Sequence, residues 1–85
     1  MTRTEVTYGQ LDKALRSLGF TCRKVMMDGE ARRYEHAATG ALILLPPLPE
    51  SDGVLDYHLV AARTTLDNYG IADPNTFAVE LQKAG

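Results

Sequence analysis

Residues 20–45 break a helical hydrophobic rhythm, and that break limits the folds open to this chain. Before it, Leu11, Ala14, Leu15 and Leu18 recur at i, i+3, i+4 and i+7, one face of an amphipathic helix. After it, Leu55, Leu59, Ala62, Leu66 and Tyr69 return to a helical stripe. Between them the pattern changes to a period of two. Asp28-Gly29 is a hairpin dipeptide, because tight hairpin turns need positive φ. The strand that follows sets Ala31, Arg33 and Glu35 on one side and Arg32, Tyr34 and His36 on the other. Ala38-Thr39-Gly40 turns the chain again, and the apolar run Ala41-Leu42-Ile43-Leu44-Leu45 reads as a third strand, central or helix-covered.

Local signals mark the boundaries. Thr7-Tyr8-Gly9-Gln10 has the form of a capping box and Gly19 supplies a left-handed stop, which predicts a first helix over about residues 8–18. Phe20, Cys22 and either Val25 or Met26 give the first strand its apolar positions. Pro46 and Pro47 end the third strand, and residues 46–53 read as a stiff connecting loop. The second helix is expected from about Leu55 until Gly70. Asp73-Pro74 opens a third, short helix, which Phe77 and Leu81 anchor to the core. The expected fold is α+β with the order α-β-β-β-α(-α). A three-stranded antiparallel sheet carries its helices on one face, a double-stranded-RNA-binding-domain-like (dsRBD-like) arrangement whose other face is open.

Eighty-five residues suit a single domain over 1–85. No apolar stretch approaches the roughly 20 residues of a membrane helix, and the amino terminus lacks the apolar core of a signal peptide. Cys22 is the only cysteine, so no internal disulfide can form, and a cytoplasmic location is expected. With Cys22, His36 and His58 out of ligand spacing, no metal site is expected. A net charge of −2 argues against strong nonspecific nucleic-acid binding, and nothing in these residues points to DNA. Yet Arg23, Lys24, Arg32 and Arg33, four of the nine basic residues, fall in one hairpin, where either a local basic patch or merely solvated charge would result.

The segment from Leu18-Gly19-Phe20 through Gly29, Tyr34, His36 and Gly40, with the later Pro46-Pro47 and the helix around His58 to Leu66, resembles the HicA (YcfA-like) family of toxin–antitoxin toxins. Gly29 and Tyr34 match the glycine and aromatic of that family's Gly-Ser-His-x-x-Phe motif. The likeness runs nearly end to end and implies a ribonuclease that cuts messenger RNA, held in check by a HicB-type antitoxin. It implies no cofactor, since the chemistry rests on one strand-borne histidine. Imidazole moves protons near neutral pH, and RNA supplies its own nucleophile in the 2′-hydroxyl.

Counting from Gly29 puts Glu30 at the family's serine and Ala31 at its catalytic histidine. A methyl group cannot transfer a proton, so the likeness implies an inactive or weakened nuclease. A deliberate histidine-to-alanine change would explain Ala31 alone, whereas Glu30 in place of serine favours natural divergence. His36 has opposite strand parity to Ala31, and a structural role at the strand end is the simpler reading. Glu30 is conceivable as an auxiliary base, although an exposed carboxylate at a turn is usually just solvated. Arg23, Lys24, Arg32 and Arg33 are the expected RNA contacts, while Asp52 and Asp56 at the start of helix two would repel phosphate there. A noncatalytic protein-interaction module and a generic RNA-binding domain stand as alternatives.

Overall fold

The computed structural model describes residues 3–26 and 30–85, so the Asp28-Gly29 turn lies outside the described residues. Among the described residues, eight elements follow one another: β1 (Arg3–Thr7), α1 (Tyr8–Ser17), β2 (Phe20–Met26), β3 (Glu30–His36), β4 (Ala41–Leu45), β5 (Gly53–Leu55), α2 (Asp56–Asn68) and α3 (Pro74–Ala84). The central layer is the expected three-stranded antiparallel sheet, in the order β2-β3-β4. Helix α1 packs beside β2, α2 beside β4, and α3 against α1, so the helices share one side. Tyr34, Ala41, Ile43 and Leu45 from the sheet meet Leu11, Leu15, Ala62, Leu66 and Phe77 from the helices in one buried cluster.

The caps act as their residue types require. The Gln10 N–H donates to the Thr7 hydroxyl at 3.1 Å, and the Thr7 N–H donates back to Gln10 Oε1 at 3.4 Å. The Thr76 N–H donates to the Asp73 carboxylate at 2.7 Å, ahead of Pro74 in the first helical turn. Gly19 ends α1 with φ +98°. A side chain there would be doubly disfavoured, since its Cβ would also come within 3.2 Å of His36 Nε2.

Three sequence expectations are refined or corrected. First, residues 46–53 are more than a connector. Asp52 and Glu50 offer their carbonyls to the Tyr8 and Gly9 N–H groups at 3.0 Å each, which satisfies the first turn of α1. Gly53–Leu55 then pairs antiparallel with Arg3–Thr7 as a separate two-stranded ribbon. This pairing joins segments about fifty residues apart, so neither carries a local signal for it. Second, of the central and helix-covered positions expected for β4, the helix-covered one is found: β4 is an edge strand with α2 packed beside it. Its residues alternate, with Ala41, Ile43 and Leu45 buried and Leu42 and Leu44 exposed by 42% and 45%. Two hairpins in succession necessarily put their shared strand in the middle, and that strand is the polar β3.

Third, Tyr69 leaves the buried stripe of α2. Ala62 and Leu66 are fully buried and Leu59 partly so, but Tyr69 is the C-cap and is 49% exposed. Its spacing fits the stripe, yet the helix ends at Asn68. Replacing Leu66 by Ala should therefore cost about 2–5 kcal/mol of unfolding free energy. Tyr69→Ala should stay within about 0.5 kcal/mol. Urea unfolding of the two variants checks both.

Candidate nucleic-acid interface

Strand pairing decides which hairpin side chains share a surface. Residues directly opposite in an antiparallel pair project to the same side. Val25 faces Ala31 and Arg23 faces Arg33, while Leu44 faces Arg33 and Leu42 faces Glu35 from the other edge. Ala31, Arg33, Arg23, Glu35, Leu42 and Leu44 thus lie on the side away from the helices. Arg23, Arg33 and both leucines are exposed there, with Ala31 and Glu35 partly covered. The expected face shared by Ala31 and Arg33 is present.

Lys24 faces Arg32 on the opposite, helix-bearing side. Arg32 is half-buried, and its guanidinium donates to the Leu48 carbonyl at 3.4 Å. The four basic residues therefore do not form one patch: the pleat puts two on each side of the sheet. On the open side, Arg33 lies 2.7 Å from Glu35 Oε1, and the directly opposed Arg23 and Arg33 are like charges, a destabilising cross-strand pair. A bound anion would relieve that repulsion. The Glu30 backbone pairs with Met26 at the end of the ladder, and its side chain lies outside the description.

His36 lies on the helix side, as its parity requires. Its ring packs 5.0 Å from that of Phe20, and Nδ1 is 2.9 Å from the Thr39 hydroxyl. Thr39 in turn accepts from the Ala41 N–H at 3.2 Å. His36 thus closes the β3–β4 turn, away from Ala31. His36 also lines a shallow hollow of about 260 Å³, together with Arg33, Glu35, Ala37, Gly40, Ala41 and Leu42.

Two polar anchors escaped the sequence reading. The fully buried Tyr34 donates its hydroxyl to Asp12 Oδ1 at 2.6 Å, and Arg16 holds the same carboxylate at 3.0 Å. Burial, reinforced by the hydrogen bond and the negative charge of Asp12, pushes the Tyr34 phenol far above its ordinary range. It is a neutral donor, unsuited to proton transfer. Tyr34→Phe should cost about 1.5–3 kcal/mol in a denaturation measurement, the usual worth of a hydrogen bond to a charged group.

The second anchor joins the ribbon to α2. The buried Tyr8 hydroxyl is 3.0 Å from His58 Nδ1 and accepts from the Leu55 N–H at 3.5 Å. The Tyr57 ring lies 4.1 Å from that of His58. Desolvation lowers the His58 pKa from its ordinary 6.5, so the folded chain favours the neutral ring. On acidification the unfolded chain binds this proton first. The contribution of His58 to stability is thus complete above pH 6.5 and is lost as pH falls from there through the lower folded-state value. Urea midpoints measured across that window should fall for the parent chain and fall less for His58→Gln.

Among the described residues, no three His, Cys, Asp or Glu side chains gather as a metal site, and no helix is long and apolar enough to cross a membrane. No family model, curated protein or solved structure matches the chain.

Proposed function

We propose that this protein is a HicA-like RNA-binding scaffold, built as a messenger-RNA-cleaving toxin but lacking the histidine that would make it a competent nuclease. The observation that carries this reading is the placement of Ala31. It sits on the open side of the sheet, two residues from Arg33 and one strand from Arg23. A strand-borne general acid–base at that position would face solvent beside two guanidinium groups able to stabilise charge on a phosphate. Among the described residues, neither His36 nor Tyr34 offers a replacement. His36 faces the helices, and the Tyr34 proton is held too tightly.

RNA binding without cutting draws on the same two arginines, whose mutual repulsion a phosphate would offset. RNA is the expected ligand, with a HicB-like protein as its competitor for the sheet. Ala31→His should raise RNA cleavage by about 10²–10⁴-fold over the parent, the usual span for one general acid–base group. Growth on expression should slow in parallel. If the histidine variant neither cleaves RNA nor slows growth, the ribonuclease scaffold reading fails.

A specific observation favours a second reading, a noncatalytic protein-interaction module. Leu42 and Leu44 are exposed on the same side, on an edge strand able to accept another strand. Recovery of a HicB-like protein without RNA, unaffected by Arg23→Ala and Arg33→Ala, would select it.

A further inference from the structure

The outward side of α2 is apolar and bears a charge pattern complementary to itself. Ala62 and Leu66 turn inward against the core, which leaves Tyr57, Val60, Ala61 and Thr64 on the far side at helical spacing. Tyr57 and Val60 are each 48% exposed, and with Asp56 and Ala61 they line an apolar hollow of about 420 Å³. Asp56 and Arg63 stand two turns apart along one flank of this stripe. Both are exposed, and neither makes an ion pair among the described residues.

We infer that this face binds a second copy of the same chain, with the two α2 helices antiparallel about a two-fold axis near Val60. In an antiparallel helix pair each flank meets the same flank of its partner, because the axis is perpendicular to both helices. Asp56 of each copy then stands opposite Arg63 of the other, which forms two equivalent ion pairs. On the other flank Tyr57 meets the small Ala61 of the second copy, so a large side chain fills the hollow left by a small one. A parallel pair would set Asp56 and Arg63 against the Tyr57–Ala61 flank and leave both charges unanswered. Charge and shape thus select one orientation.

The contact is one helix wide, at the small end of specific interfaces, so association weaker than about 1 µM is expected. Because α2 lies on the helix side of each sheet, dimerisation leaves both open sheet faces free and directed away from each other. The two-fold contact is independent of what those faces bind.

Sedimentation equilibrium over a protein concentration series tests the arrangement. The parent chain should pass from monomer to dimer with rising concentration. Val60→Lys should abolish the dimer while its circular dichroism spectrum stays that of the parent, since Val60 is 48% exposed and lies outside the buried cluster. Arg63→Asp should weaken dimerisation at least tenfold, and Asp56→Arg combined with Arg63→Asp should restore it. A parent chain that stays monomeric up to about 1 mM, far above the expected range, overturns the inference. So does a dimer indifferent to Val60→Lys, or a double charge swap that fails to rescue.

Discussion

The hydrogen bond from Tyr34 to Asp12 decides which side of the sheet is which. Tyr34 lies in the middle strand with its ring wholly buried, and its hydroxyl reaches a carboxylate on α1 at 2.6 Å. A buried phenol left without a partner would be costly, so Tyr34 is secure only where α1 covers it. Once it points to the helices, the two-residue period assigns every neighbour. Arg32 and His36 must share its side, while Ala31, Arg33 and Glu35 must face away. The composition of the open surface thus follows from Tyr34 together with Phe20, Ala41, Ile43 and Leu45, buried on the same side.

A second seam holds the remainder in place. The β1–β5 ribbon brings the segment before α1 alongside the segment before α2, and Tyr8 touches both His58 and the Leu55 backbone across it. Gln10 extends the tie to α3, where its amide donates to the Leu81 carbonyl at 2.6 Å. Short polar contacts, each joining parts of the chain at least 47 residues apart, therefore fix three helices on one sheet. This suits a small domain, whose hydrophobic core alone has little surplus.

The open face combines a strand-centred alanine, opposed arginines and two leucines on a free edge. Opposed like charges weaken a ladder unless an anion or carboxylate answers them, and Glu35 answers only Arg33. That residual repulsion is what an anionic group placed between the two guanidinium groups would offset. The exposed Leu42 and Leu44 leave the same side apolar along that edge. Ala31 adds only a methyl group to this face, so its polar character comes from Arg23, Arg33 and Glu35.

The order of residues was enough to specify the three helices, the two hairpins and the parity of β3. These depend on caps, turn residues and periodicities contained within a dozen neighbouring residues. The positions of Ala31 and Arg33 on one side, and of His36 on the other, were therefore legible in the order of residues alone. Tertiary structure alone decided that β4 lies at an edge, that residues 3–7 and 53–55 pair, and that Asp12 and His58 meet the hydroxyls of Tyr34 and Tyr8. It also divided the basic cluster. Arg23 and Lys24 are adjacent in sequence, but the pleat turns adjacent side chains to opposite sides, and the burial of Phe20, Tyr34, Ala41, Ile43 and Leu45 decides which side meets solvent. Local chemistry specifies elements and their alternation. The partner of an element depends on contacts distant in sequence, which no short window of residues contains.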